Sequence, residues 1–151
     1  MPPPYVAVIG PGEATATEVE AAREVGFGLA LRGAVLVCGG LGGVMEAACR
    51  GVSEAGGVCV GLLPGTDRKA GNRWLSVALP TGVGELRNGL VVRAADAVIA
   101  VGGAYGTLSE IALALKTGVP VVGVGTWDIK GVVAAASPAQ AVARALDLGQ
   151  R

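Results

Sequence analysis

The segment Ile99–Glu110, IAVGGAYGTLSE, combines glycines, an aromatic residue, a threonine and a carboxylate within twelve residues. Glu110 has two interpretations. A carboxylate beside a bound sugar can stabilise an oxocarbenium-like centre and position water. The same residue can also be the N3 position of a helical capping box in which Thr107 is the N-cap and Glu110 bonds back to its backbone N–H. The pattern is compatible with both roles.

Three glycine-rich turns have a composition suited to binding an anion. They are Gly10–Gly12, Gly39–Gly43 and Gly102–Gly106, and each follows an apolar run and precedes a helical pattern. Glycine lets backbone N–H groups approach a phosphate, and a helix N-terminus adds partial positive charge. We therefore expect a phosphate cradle, although the glycines could instead serve only as tight turns.

Two common nucleotide-binding motifs are absent from the sequence. The first turn lacks the third glycine of the dinucleotide fingerprint, because Thr15 stands there, and no acidic residue ends the second strand. The chain also has no G-x-x-x-x-G-K-[ST] loop. An ordinary NAD-binding unit and a P-loop ATPase are excluded.

Residue types exclude several further kinds of chemistry. The chain has no histidine, which removes Ser-His-Asp and Cys-His catalysis and argues against a zinc site, so no metal is expected. Its three cysteines, Cys38, Cys49 and Cys59, form no C-x-x-C pair, and we expect buried, reduced thiols. The lysines, at positions 69, 116 and 130, have solvated contexts, so no pyridoxal phosphate cofactor is expected.

The elements that must position these residues alternate between strand and helix. Strands are predicted at 5–9, 35–38, 58–62, 75–79, 97–101, 119–124 and 132–136, and helices at 15–31, 44–55, 85–95, 107–116 and from Ser137 onward. Thr15 or Thr17 offers a capping box and Gly33 a helix stop. Residues 64–74 read as a polar loop. This alternation predicts one domain, residues 1–151, with a doubly wound, mostly parallel sheet of Rossmann-like type and helices on both faces.

Composition and charge limit the partners. The 151 residues are 52% hydrophobic and only 3% aromatic, which suits a sheet of small branched side chains covered on both faces. Twelve basic and twelve acidic residues give zero net charge, so we expect no binding to nucleic acid or to an anionic membrane. Mean hydropathy is +0.59, but no apolar run approaches the roughly 18 residues of a spanning helix. The N-terminus lacks the features of a signal peptide, and a cytoplasmic location is expected.

Four features together resemble the LOG family, whose members are often labelled as lysine decarboxylases. They are CGGLGGVMEAACRG at 38–51, LRN at 86–88, ADAVIAVGGAYGTLSE at 95–110, and the order of these motifs. The likeness extends from about Val6 to Val124 and is closest to the small bacterial branch that also resembles molybdenum-cofactor carrier proteins. A true lysine decarboxylase is not expected, because no lysine suits the Schiff base.

The resemblance implies a Rossmann-like fold that assembles as a homodimer or higher homo-oligomer. LOG enzymes cleave the N-glycosidic bond of cytokinin nucleoside 5′-monophosphates, and by likeness Arg87 and Glu110 match their catalytic residues. Gly103, Gly106 and Thr107 match the phosphate-binding turn. The sequence departs from the family motif where Gly102 replaces a proline, Ala104 a glycine and Asn88 a lysine. Despite these departures we expect the protein to bind a phosphate group. They leave the identity of the substrate open.

The sequence is therefore compatible with two functions, and a scaffold that binds no ligand is a third possibility. The first is binding of a phosphorylated small molecule, such as an AMP-like nucleotide or a molybdopterin-type pterin, by a carrier or sensor. The second is a nucleoside-monophosphate phosphoribohydrolase using Arg87 and Glu110. Beside those two, the candidate binding residues are Gly10, Gly12, Gly39, Gly40, Gly42, Gly43, Met45, Glu46, Asn88, Gly102, Gly103, Ala104, Tyr105, Gly106 and Thr107.

Overall fold

A seven-stranded parallel sheet forms the centre of the protein in the computed structural model, which describes residues 2–150. The strands are β1 Tyr5–Ile9, β2 Val35–Cys38, β3 Val58–Leu63, β4 Val77–Pro80, β5 Ala97–Val101, β6 Val121–Val124 and β7 Val132–Ala134. Their order is β4-β3-β2-β1-β5-β6-β7, and every pairing is parallel. The expected Rossmann-like architecture is confirmed. The expected domain, 1–151, includes Met1 and Arg151, which lie outside the described residues.

Five helices cover the two faces of the sheet. They are α1 Ala16–Leu31, α2 Val44–Glu54, α3 Arg87–Arg93, α4 Tyr105–Lys116 and α5 Pro138–Leu148. Helices α1, α2 and α5 pack on one face, and α3 and α4 on the other. Alternate residues of β1 divide between the two cores, Val6 and Val8 on the first face and Ala7 and Ile9 on the second.

Several predicted boundaries were wrong by a few residues, and two of the differences concern the site. Helix α4 begins at Tyr105 rather than Thr107, because Leu108 N–H already bonds to the carbonyl of extended Ala104 at 2.9 Å. The predicted helix 85–95 is a 3-10 turn, Gly84–Leu86, followed by the shorter α3. The polar loop 64–74 contains a second 3-10 turn, Arg68–Ala70, with Asp67 as its cap.

Only one of the two predicted capping boxes forms. Thr15 and Glu18 make both reciprocal bonds at the start of α1. The predicted box of Thr107 and Glu110 is wrong, because Thr107 lies inside the first turn of α4 and is buried, while the N-cap is Ala104. Helix α5 begins as expected, with Ser137 as cap and Pro138 in the first turn.

The three cysteines are buried and form no disulfide. The Sγ atoms of Cys38 and Cys49 are 3.5 Å apart. The hydrogen bond with Cys38 and burial raise the pKa of the Cys49 thiol, and the hydrogen bond with Cys49 and burial raise the pKa of Cys59. Both groups are therefore thiols at neutral pH, as expected for structural cysteines.

Candidate functional site

A small cleft lies where the strand order reverses. After β1 the chain builds β2, β3 and β4 on one side, and then returns to place β5 on the other side of β1. In open parallel sheets, ligands bind at the carboxyl ends of the strands at such a switch point. The cleft has a volume of about 210 Å³ and is lined by Val8, Ile9, Gly10, Pro11, Gly12, Gly39, Met45, Arg87, Asn88, Ala104, Gly106, Thr107 and Glu110.

The cleft brings together ten of the seventeen residues that the sequence singled out. Arg87 and Glu110 both line it, with residues from all three glycine-rich turns. The remaining seven do not line it: they are Gly40, Gly42, Gly43, Glu46, Gly102, Gly103 and Tyr105. Sequence reasoning missed Val8, Ile9 and Pro11. Of these, Pro11 could have been found, because it lies between two glycines of a predicted turn.

Two of the glycines outside the cleft are required by packing. A Cβ at Gly43 would lie 2.2 Å from the carbonyl oxygen of Pro11, and one at Gly102 would lie 2.0 Å from a carboxylate oxygen of Glu18. Both residues also have positive φ, 64° and 70°, which favours glycine. Their role is to let the turns approach neighbouring backbone and the α1 capping box.

The glycines that line the cleft differ in what surrounds them. A Cβ at Gly39 would lie 2.8 Å from both Arg87 Nη2 and Met45 Sδ, so glycine here gives space to the guanidinium. A Cβ at Gly12 or Gly106 would meet nothing within 4 Å. At these two positions the absence of a side chain leaves the cleft open.

Arg87 is held over the β2 turn by two contacts. It is 9% exposed, its Nη2 donates to the Gly39 carbonyl at 3.4 Å, and its Nη1 donates to Asn88 Oδ1. Its Nε is buried without a partner among the described residues, and so is the hydroxyl of Thr107. Buried polar groups normally have partners, so Arg87 and Thr107 have hydrogen-bonding capacity that the described residues leave unused; the Thr126 hydroxyl, outside the cleft, is unpartnered as well.

Glu110 is 8% exposed, and its carboxyl lies within the electrostatic influence of Arg87. Burial raises the pKa of its carboxyl from 4.5 to about 7, although the positive charge of Arg87 opposes the shift. The side chain therefore exchanges a proton near neutral pH. A perturbed carboxyl of this kind is typical of functional clefts.

Three helix N-termini meet the cleft without a side-chain cap: those of α2, of α4 and of α3, which continues directly from a 3-10 turn. Helix α2 starts after Gly43 and α4 after Ala104, and neither residue supplies a capping bond. By contrast, Thr15 caps α1 and Ser137 caps α5. Met45 of α2 and Thr107 of α4 line the cleft, so uncapped N–H groups and helix dipoles lie beside it. This arrangement can bind an anion.

Two further structural findings bear on cofactors and membranes. Among residues 2–150, no group of three or more acidic residues or cysteines could hold a metal ion. Within the same residues, every helix is too short or too polar to cross a bilayer.

The fold and cleft define a Rossmann-like α/β protein with a small polar site at its switch point. Within that class, the chain belongs to the SLOG cluster4 family, whose sequence model matches residues 3–148. This assignment confirms the resemblance to the LOG-like superfamily.

Known proteins similar to this chain include both sequence relatives and solved structures. An uncharacterized protein of Archaeoglobus fulgidus is 44% identical over 113 residues, covering 75% of this chain and 74% of that protein. The molybdenum cofactor binding protein of Rippkaea orientalis has a TM-score of 0.93 and 37% identity, and the match covers 98% of each chain. The molybdenum cofactor carrier protein of Chlamydomonas reinhardtii has a TM-score of 0.88 and 32% identity, covering 99% of this chain and 100% of that one.

Proposed function

We propose that this protein binds a phosphorylated pterin of the molybdopterin type in the switch-point cleft and acts as its carrier. The single observation that supports this most strongly is the pair of orphaned buried donors, Arg87 Nε and the Thr107 hydroxyl, in one cleft. The proteins from Rippkaea and Chlamydomonas supply the ligand class. An AMP-like nucleotide presents the same phosphate and is the practical probe.

The phosphate is expected to lie against the uncapped start of α4. Gly106 and Thr107 provide backbone N–H groups there, and Arg87 provides the countercharge. Charge-assisted hydrogen bonds of this kind are about twice as strong as neutral ones. Protonation of Glu110, whose pKa is about 7, would remove its repulsion of the anion.

The ring of the ligand is expected to lie at the mouth of the cleft, beside Tyr105. A volume of about 210 Å³ is smaller than the roughly 300–1,000 Å³ of pockets that enclose a drug-sized ligand. Tyr105 is 85% exposed and is held by stacking on Trp127, with ring centroids 6.4 Å apart. The Trp127 indole N–H donates to the Ala104 carbonyl at 3.2 Å, which fixes this aromatic pair next to the cleft.

Calorimetric titration with AMP and with ribose 5-phosphate tests the proposal. Gly106→Val should abolish binding of both, because the branched side chain fills the open space over the phosphate. Thr107→Val should weaken both by up to about tenfold, which is the value of one hydrogen bond. Tyr105→Ser should weaken AMP alone. Gly89→Ala is the control, since Gly89 does not line the cleft and its Cβ would meet only Leu113 Cδ1 at 3.9 Å.

A second function, phosphoribohydrolase activity, is favoured by one observation: Arg87 and Glu110 line the same cleft. A half-protonated carboxyl could stabilise an oxocarbenium-like centre or position water beside a bound ribose. The test is release of free base from a panel of nucleoside 5′-monophosphates. If the protein is an enzyme, Glu110→Gln should still bind but lose at least about a hundredfold in rate. No release from any member of the panel would leave the carrier function alone.

A further inference from the structure

A second cavity lies on the other side of the first turn of α2 from the cleft. Its volume is about 380 Å³, and we call it the tryptophan pocket; it is lined by Val19, Arg23, Gly43, Glu46, Ala47, Arg50, Arg73 and Trp74. None of these residues lines the switch-point cleft. Gly43 and Glu46, two residues expected at the main site, lie here instead.

Trp74 forms a fixed wall of this pocket. Its backbone N–H bonds to Asn72 Oδ1 at 3.0 Å, and Asn72 in turn bonds to the carbonyls of Gly40 at 2.9 Å and Leu41 at 3.0 Å. The Trp74 carbonyl accepts the Cys59 thiol at 3.1 Å. The indole also packs against the core on the α1–α2 face. The half-buried ring is therefore held in place by the β2 turn and the core.

Two arginines lie over this ring without a carboxylate partner. The guanidinium carbons of Arg73 and Arg50 are 4.6 and 5.8 Å from the centre of the Trp74 ring. Within residues 2–150, neither forms an ion pair within 4.0 Å. The Glu54 carboxylate is bonded at 2.6 Å to Arg23, the third arginine of the pocket; that bond and also the positive charge of Arg50 lower the pKa of the Glu54 carboxyl. The pocket therefore presents two positive charges close to one indole, and an anion that binds there would gain the attraction of both.

Glu46 adds an acceptor to the same pocket. Its carboxylate would repel a bare anion, but it can accept a hydrogen bond from a hydroxyl or an amine. The pocket thus combines two positive groups, held on an aromatic ring, with one acceptor. A nucleoside diphosphate has the complementary groups, namely phosphates and the hydroxyl or amine donors of its sugar and base.

We propose that the tryptophan pocket is a second ligand site, which binds a nucleoside diphosphate with its phosphates on Arg50 and Arg73 and a sugar or base donor on Glu46. This site is separate from the switch-point cleft and does not rest on the proposed carrier function.

The two tryptophans of the chain allow a direct test. In a Trp127→Phe variant, Trp74 is the only tryptophan, and its fluorescence reports on the pocket. ADP and inorganic pyrophosphate are titrated at constant ionic strength, with sodium chloride as the blank. We expect a saturable change with both ligands and tighter binding of ADP.

Charge variants of the same single-tryptophan protein identify the side chains that bind the ligand. Arg50→Gln and Arg73→Gln should each weaken ADP binding by about tenfold or more, because each removes a charged hydrogen bond. Arg144→Gln, on the exposed face of α5, is the matched control and should change nothing. Glu46→Ala should remove the preference for ADP over pyrophosphate.

Blocking the switch-point cleft tests whether the tryptophan pocket binds its ligand independently of the cleft. Gly106→Val should leave the Trp74 response unchanged. The proposal is overturned if no saturable change occurs, if sodium chloride produces the same change, if both arginine variants bind like the parent, or if Gly106→Val removes the response. Circular dichroism of each variant verifies that it is folded.

Discussion

Glu110 is the buried carboxyl group of the cleft, and its protonation affects the stability of the protein. Its carboxyl is buried beside Arg87, and its pKa is raised to about 7 because burial outweighs the attraction of the guanidinium. In the unfolded chain the same group titrates near 4.5. Between these two values the folded state holds a proton that the unfolded state releases, so this group makes the protein less stable as pH rises from about 4.5 to 7.

Glu110→Gln should therefore stabilise the protein in a pH-dependent way. Glutamine keeps the shape of the side chain and has no charge to desolvate. Relative to wild type, the free energy of unfolding of the variant should rise by up to about 3 kcal/mol between pH 4.5 and pH 8. Urea denaturation at the two pH values measures this difference. The exposed Glu85→Gln is the control, and an equal difference between wild type and Glu110→Gln at both pH values would contradict the account.

At the residue scale, the sequence predicted the main side chains of the cleft. It could not tell which of the candidate residues lie outside the cleft. The family motifs indicated Arg87, Thr107 and Glu110, and the structure places all three in one cleft. The motifs also indicated Glu46, which follows Met45 directly yet lies in a different cavity. Successive residues of a helix point in different directions, so a turn that borders two cavities divides its residues between them.

At the element scale, capping distinguishes the helices at the site from those that only support it. The pattern T-x-x-E occurs at both Thr15 and Thr107, yet only Thr15 forms a capping box. The difference is one of packing, because Thr107 is 2% exposed under the cleft. Local sequence could predict both boxes but could not reveal that tertiary contacts start α4 two residues earlier.

Two glycines set the distance between α1 and α2. A Cβ at Gly26 would lie 2.0 Å from the Ala48 carbonyl oxygen, and one at Gly51 would lie 2.0 Å from that of Arg23. The backbones of the two helices are therefore in direct contact. This packing places the first turn of α2 between the cleft and the tryptophan pocket.

Gly51→Ala should destabilise the protein by about 1–3 kcal/mol, because the helices must separate to accept one methyl group. The matched control is Gly89→Ala in α3, where the nearest atom is 3.9 Å away. That variant should be neutral or gain up to about 1 kcal/mol from helix propensity. Chemical denaturation of both variants measures the difference, and equal stabilities would contradict the close packing of α1 on α2.

At the scale of the whole molecule, alternation of strands and helices was sufficient to predict the sheet type. It could not give the strand order, because that order depends on which strands meet in space. The strand order determines where the site lies, because the placement of β5 beside β1 creates the switch point. The sequence predicted glycine-rich turns after β1, β2 and β5, but nothing in it indicated that β5 would pair with β1.

The protein is predicted to form a homodimer or higher homo-oligomer. Exposed leucines on α3 and α4 and in the turn before α3 support this prediction: Leu86 is 78% exposed, Leu90 46% and Leu113 38%. Light scattering should give at least twice the chain mass of 14.8 kDa, and Leu86→Glu with Leu90→Glu should reduce it. Leu31→Glu, on the opposite helix layer, is the control. A wild-type monomer at micromolar concentration would show the prediction to be wrong.

The central claim is that a phosphorylated ligand occupies the cleft at the switch point. A crystal structure of the protein grown with a saturating molybdopterin-type ligand or AMP tests it most directly. We expect electron density for a phosphate within hydrogen-bond distance of the Gly106 and Thr107 backbone, the Thr107 hydroxyl and Arg87, with the ring beside Tyr105. A phosphate bound elsewhere, with the cleft empty and the Thr107 hydroxyl still unpartnered, would contradict it.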